Sequence, residues 1–317
     1  MDSPVIDQPG IYRIGPDDYH SDPCPTPSLS SSIARLMLAN SPAHGWYNHP
    51  RLNPAFEREE KETFDLGRAA HAYLLEGESG FAIIEADDWR TAKAKSAREL
   101  ARLAGKIPLL AHRWADVQAM ALTAREQLAK HEAPIPLTNG RAEQTLIWPE
   151  RGDVWCRARL DWLHDAYEWI DDYKSTGATA NPDEWTRGPL FGTGYDLQAA
   201  FYVRGLKVLT GIEAQFRFVV QENFAPFALS VIGLGPDVLT LAEKKRQHAV
   251  ELWRDCLRAN SWPAYPTRTC FAELPPWIEA NWLARELRDG DAKARPRQMG
   301  IMDDGRPIEE LLAEGSK

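Results

Sequence analysis

Apolar and polar positions alternate with period two through Val154–Leu163. Val154, Cys156, Ala158, Leu160 and Trp162 form an apolar set, while Arg157, Arg159 and Asp161 form the opposite, polar set. This alternation specifies a half-buried strand. A second strand is predicted over Tyr167–Ser175, after a turn at His164–Ala166. A third is predicted over Arg141–Glu150 and joins the first through an Arg151-Gly152-Asp153 hairpin turn. The three make an antiparallel meander. Asp172 and Lys174 are two residues apart on a strand and so face the same way, whereas Asp171 has the other parity and faces away.

Elsewhere the period lengthens to that of helices. Ser28 to Ser32 offer N-caps for a short helix, Ile33–Ala39, which Ser41-Pro42 ends. Phe64–Glu76 reads as a compact helix that carries His71, with Gly67, Ala69 and Ala70 allowing another backbone to come close. Trp89–Glu132 reads as helical, interrupted at Gly105–Pro108. Tyr195–Leu209 and Asp237–Asn260 read as helices, and Ala214–Gln221 and Phe227–Leu234 as strands around an Asn223–Pro226 turn. Phe271–Leu287 adds a short helix. Residues 1–27 read as an extended arm, and His44–Pro54 and Thr176–Gly194 as loops. Residues 289–317 read as a flexible tail with a short helical motif at Ile308–Ala313. The order of helix, three antiparallel strands, helix and strand predicts an α+β fold with a central mixed sheet flanked by helices.

At 317 residues, with 44% hydrophobic and 26% charged positions, the chain can bury a full core. No stretch approaches the roughly 18 apolar residues of a membrane span. The N-terminal MDSPVIDQPG lacks a basic then apolar leader pattern, so a cytoplasmic location and no membrane partner are expected. The net charge of −9 argues against a protein that coats nucleic acid indiscriminately, although local cationic tracks remain compatible with it. Thr91–Arg102 is one such segment, readable as a solvated basic face or as a DNA-facing arm. The four cysteines, Cys24, Cys156, Cys256 and Cys270, contain no C-x-x-C pair, so neither a zinc ribbon nor an iron–sulfur cluster is expected.

If the two central strands pair, Asp161, Asp172 and Lys174 converge on one patch. Carboxylates collect hard divalent cations, and a lysine beside such an ion can hold a water or meet the charge of a phosphate. By itself D-x-K is common and usually solvated. A histidine on a helix, such as His71, is likewise more often structural than a ligand.

Longer patterns change that weighting. LSSSIARLMLANSPAHGWYNHPRLNP, FDLGRAAHAYLLEG around His71, WRTAKAK, RARLDWL, IDDYKST and GYDLQAAFYVRGL occur in that order. Together they resemble the PD-(D/E)XK nuclease superfamily, and within it the phage and prophage exonucleases of the exodeoxyribonuclease VIII type. The resemblance covers roughly residues 10–260. It implies a restriction-endonuclease-like core, with an arm over 1–60, a nuclease domain over 61–288 that includes a helical insertion at about 89–132, and a tail over 289–317.

The resemblance also implies roles. Asp161 and Asp172 would bind metal with the backbone carbonyl of Tyr173, and His71 would complete the set. Lys174 would position or activate the attacking water. Gln198 and Tyr202 match a Q-x(3)-Y pattern that touches DNA, and Arg157 and Arg159, on the Asp161 face, could meet the phosphate or bridge neighbouring acids. Glu143 is a further acid matched to no motif. The superfamily's Pro before the first acid is Leu160 here. The expected activity is Mg²⁺-dependent exonucleolytic hydrolysis of double-stranded DNA ends, 5′ to 3′, with Mn²⁺ substituting. The expected partners are a single-strand annealing protein and further copies in a ring-like homo-oligomer. The alternatives are a structure-specific or nicking endonuclease and a non-catalytic DNA-binding subunit on a nuclease scaffold.

Overall fold

The computed structural model describes residues 5–57, 66–150 and 154–298. The chain divides into two units, residues 1–264 and 265–317. In the first unit β1 (Gly10–Tyr12) and α1 (Pro16–His20) lead to β2 (Leu29–Ser30), α2 (Ser31–Ala39) and α3 (Pro42–Tyr47). α4 (Leu66–Glu76) precedes a small layer made of β3 (Phe81–Ile84), α5 (Ala92–Leu103) and β4 (Ile107–Leu110), which runs into α6 (Ala111–Leu128). The meander follows as β5 (Gly140–Glu150), β6 (Val154–His164) and β7 (Trp169–Thr176). After it come α7 (Pro182–Arg187), α8 (Pro189–Gly192), α9 (Tyr195–Thr210), β8 (Gln215–Glu222), β9 (Leu229–Gly233) and α10 (Pro236–Ala259). The second unit contains α11 (Pro276–Gln298). No helix among the described residues is long and apolar enough to cross a membrane.

The central sheet runs β1-β5-β6-β7-β8-β9, with β2 added to β6. β7 and β8 are parallel, and their neighbours β5–β6, β6–β7 and β8–β9 are antiparallel. A parallel pair needs a long crossover, and the segment α7–α9 supplies it. α9 packs one face of the sheet together with α2 and α10, where Trp148, Leu160, Phe201, Phe218 and Trp253 are buried. Gly205 allows this close approach, since a Cβ there would lie 2.7 Å from the Trp148 ring. Tyr173 and Val219 pack on the opposite face with Ala70 of α4 and Met120 and Leu128 of α6.

Several expectations need correction. The arm at 1–60 is no separate domain, because β1 pairs with β5 (Gly10↔Ile147) and β2 with β6 (Leu29↔Cys156). Two- and three-residue strands carry no readable period. Pro42 starts α3, which runs to Tyr47 and so into the expected 44–54 loop, and Pro182 and Pro189 start α7 and α8 inside the expected 176–194 loop. Proline suits a first helical turn, whose N–H has no partner to lose. The insertion at 89–132 is not wholly helical, since β4 lies parallel to β3. The final helix runs to Gln298, past the expected end at Leu287 and through the first residues of the expected tail, whose remainder, 299–317, lies outside the described residues; the units divide at 264. The Arg151–Asp153 turn and the Ile308–Ala313 motif lie outside the described residues.

Candidate active site

The site sits where β6 and β7 part. Their ladder registers Leu163↔Ile170 and Trp162↔Asp171. The next pair in register would be Asp161 and Asp172. There the Tyr173 N–H donates instead to Asp161 Oδ2 at 2.8 Å. Farther along, β2 takes the same edge of β6 at Cys156 and Arg157. Between the two partners β6 leaves a fork, with Asp161 on one prong and Asp172 on the other.

The pleat also breaks at this point. Glu143 of β5 has φ +57°, a left-handed value, and the β5–β6 ladder passes from Ala142↔Trp162 to Gln144↔Leu160 without the pair Glu143–Asp161 between them. Beyond the break Leu163, rather than the expected Trp162, enters the core. Left-handed backbone at a residue with a side chain costs energy and persists where the surroundings hold it. Here it sits against the acidic fork.

His71 reaches in from α4, with Nε2 3.1 Å from Asp161 Oδ2. One donor atom from each of His71, Glu143 and Asp161 lies within 4.8 Å of the others. Arg159 clamps Glu143 through Nε, 2.5 Å from Oε2, and donates to the Ile14 carbonyl at 2.7 Å. Asp172 is ion-paired to Lys174 and accepts from Gln198 Nε2 at 2.7 Å. The Lys174 ammonium lies 5.0 Å from the ring centroid of Tyr195 and 5.9 Å from that of Phe218. His71, Glu143, Asp161, Lys174 and Gln198 line a cleft of about 1300 Å³ together with Trp89, Arg98 and Arg102, and Asp172 lies buried behind them.

Three carboxylates crowd this space, and their protonation reflects it. Burial, then the Asp161 charge, pushes Asp172 up to about 7 even with Lys174 beside it. Burial, then Asp161, also raises Glu143, against the pull of Arg159. For Asp161 burial acts the same way, but the His71 charge and hydrogen bond, Lys174 and the Tyr173 amide outweigh it and lower its pKa. Burial would lower His71 and Lys174, yet the carboxylates raise both, Asp161 for His71, and Asp172 then Asp161 for Lys174. Three carboxylates and an imidazole whose protonation is coupled in this way are donors suited to a divalent cation.

The structure therefore gathers His71, Asp161, Asp172, Tyr173, Lys174 and Gln198. Tyr202 also lines the cleft but is only 7% exposed, one helical turn along α9 from Gln198. Arg157 is a correction. It is 4% exposed and donates to the Ser28 carbonyl at 2.8 Å, with Nη1 3.1 Å from Asp22 Oδ1, so it offers nothing to a substrate. It shares a face with Asp161, but four residues of strand, roughly 13 Å, separate them. Arg159 lines the cleft with its guanidinium committed to Glu143. Asp171 faces away and binds Arg217 and His164 at 2.8 and 2.7 Å. Glu143 is the site residue that motif matching missed. Counting outward from the 151–153 turn places it opposite Asp161.

A mixed sheet whose central strands splay around Asp161, Asp172 and Lys174 is the core of a restriction-endonuclease-like α+β fold. Residues 30–272 match a family model described as a PDDEXK-like domain of unknown function, and the chain belongs to that family. No functionally curated protein matches it in sequence. Among solved structures it is similar to a "Putative exonuclease" from Eubacterium rectale, with TM-score 0.50 and 12% identity over 78% of this chain and 91% of that one. At that identity the likeness speaks for the fold. A structure named SSO0001 aligns at 13% identity over 62% of this chain and 79% of that one, and its TM-score of 0.26 carries no argument. Family and fold together support a nuclease. PDDEXK nucleases use divalent metals, and the His71–Glu143–Asp161 cluster provides donors of that kind.

Proposed function

We propose that the protein is a metal-dependent DNA exonuclease that hydrolyses phosphodiester bonds at double-stranded ends, 5′ to 3′, leaving single strand for recombination. One observation carries this reading. The His71, Glu143 and Asp161 donors meet within 4.8 Å beside the Asp172–Lys174 pair, on the floor of a cleft with arginines in its walls. The donor set is mostly oxygen, which fits Mg²⁺ with Mn²⁺ as a substitute. A bound divalent ion supplies Lewis acidity toward the phosphoryl oxygens and lowers the pKa of a coordinated water.

The protein's residues do the rest. His71, Glu143, Asp161 and Asp172 hold the cation. In an extended strand the N–H and C=O of one residue point to the same edge, so the Tyr173 carbonyl is directed toward the fork as a further ligand. Lys174 orients the attacking water and meets charge on the phosphate. Gln198 fixes the Asp172 carboxylate, and Tyr202, in the same cleft wall, stands where the substrate passes. Arg159 holds Glu143 in place and favours its ionised form against burial and the Asp161 charge. A ring-like homo-oligomer and a single-strand annealing partner belong to this proposal through the family resemblance. Digestion of end-labelled linear duplex with closed circles as control tests it. Loss of linear DNA with intact circles supports the reading, and nicked circles favour an endonuclease.

A further inference from the structure

We infer that α5 is the wall that grips the phosphate backbone of the substrate, an assignment that rests on the nuclease reading above. The helix carries Lys93, Lys95, Arg98 and Arg102 against the single acid Glu99, four cations less one anion, in a chain of net charge −9. At 100° per residue Lys95, Arg98 and Arg102 fall within about 60° of one another, and Lys93 points almost oppositely. Arg98 and Arg102 line the same cleft as Asp161 and Lys174. Both guanidiniums share Glu99, at 3.3 and 3.2 Å, so one carboxylate is left to two cations. Ion pairs to a half-exposed carboxylate such as Glu99 contribute little to stability, so phosphate oxygens can replace it at small cost. The Arg98 guanidinium also lies 5.6 Å from the centroid of the Trp89 ring, which lines the cleft beside it.

The mounting suits a grip. Ala94 and Ala101 are buried under α5. β3 and β4 below it join α4 and α6 through Ala69, Phe81, Leu109 and Val117. Tyr73, Phe81 and Trp114 add a ring cluster with centroids 5.0 to 6.4 Å apart. The wall is thus fixed to α4, the helix that delivers His71. A backbone held on α5 lies at a set distance from the metal donors, and it is gripped through its phosphates, without reading base sequence.

The test is anisotropy of a fluorescein-labelled duplex with the full chain in EDTA, titrated across KCl concentrations. The double variant Arg98→Gln/Arg102→Gln is expected to weaken binding about tenfold and to reduce the slope of log K against log salt by about two, near one unit for each phosphate no longer neutralised. Lys93→Gln is expected to leave both unchanged. A double variant that binds with the wild-type affinity and slope overturns the assignment, as does an equal loss with Lys93→Gln, which would mark a mere effect of net charge. Cleavage of linear duplex by the wild type in Mg²⁺ is scored separately. Its absence removes the nuclease reading, whereas its presence beside an unchanged double variant removes the grip alone.

Discussion

The Asp161 carboxylate takes the place of a sheet hydrogen bond: it accepts the Tyr173 N–H at 2.8 Å where β6 and β7 stop pairing. A ligand that also holds the fork open links the fold to the chemistry. Asp161→Asn is expected to lose metal binding. Asp161→Ala is expected to lose stability as well, by about 1–3 kcal/mol, because a backbone N–H is left without its acceptor. Thermal melts of both variants in EDTA check the difference.

Glu143 is held by Arg159 at 2.5 Å in a left-handed backbone conformation. That placement makes sense if the side chain is needed at the metal. Glu143→Gln is expected to weaken Mn²⁺ binding by about 10- to 100-fold, the scale seen when groups supporting a metal site are removed. Calorimetry with Mn²⁺ measures it, and an unchanged affinity would remove Glu143 from the site.

The metal-free site keeps a proton near neutrality, because burial and Asp161 push Asp172 up to about 7. Cation binding must expel that proton. Metal affinity is therefore expected to rise as pH goes from 6 to 8, as Asp172 and the likewise raised His71 give up their protons. Calorimetric titrations at pH 6, 7 and 8, in buffers of different ionisation enthalpy, read both the affinity and the released proton. The Asp172→Asn variant should lose most of the affinity and release fewer protons on binding, with the proton that Asp161 favours on His71 still to be expelled.

Asp22 anchors the N-terminal elements. Burial opposes its ionisation, but Arg157, then hydrogen bonds from His49 and Ser28, outweigh burial and lower its pKa to about 2. A lowered folded-state pKa gives stability that is complete above the unfolded value of 3.8 and is lost as pH falls toward 2. The shift corresponds to about 2 kcal/mol. Asp22→Asn leaves Arg157 buried without its anion and is expected to destabilise by about 3–5 kcal/mol. Its acid-unfolding profile between pH 4 and 2 should be flatter than that of the wild type.

How far the sequence reached depended on the length of each pattern. β6 was legible because alternation runs through its length, and on β7 the two-residue parity of a strand separated Asp172 from Asp171. α9 and α10 were legible as long periodic helices. β3 and β4, four residues each, fall below the length at which period two is distinguishable from a helix break. α7 and α8 were hidden because proline reads as a loop signal when it also opens helices. Parity put Arg157 at the site, but parity does not measure distance along a strand. Glu143 escaped because its relation to Asp161 comes from hairpin register and matches no motif. Trp162 was misplaced because a left-handed residue on the neighbouring strand shifts the pleat, and nothing in the local composition signals it.

The most direct test of the account is digestion of end-labelled linear duplex by the purified full chain, with closed circular DNA as control. With Mg²⁺ the wild type is expected to release labelled product from linear DNA and leave circles closed, and EDTA is expected to stop it. Lys174→Ala and Asp172→Ala, each still folded by thermal melt, should be slower by about a thousandfold or more, as when a group acting on the reacting centre is removed. Undiminished cleavage by either variant, or cleavage that persists in EDTA, would contradict it.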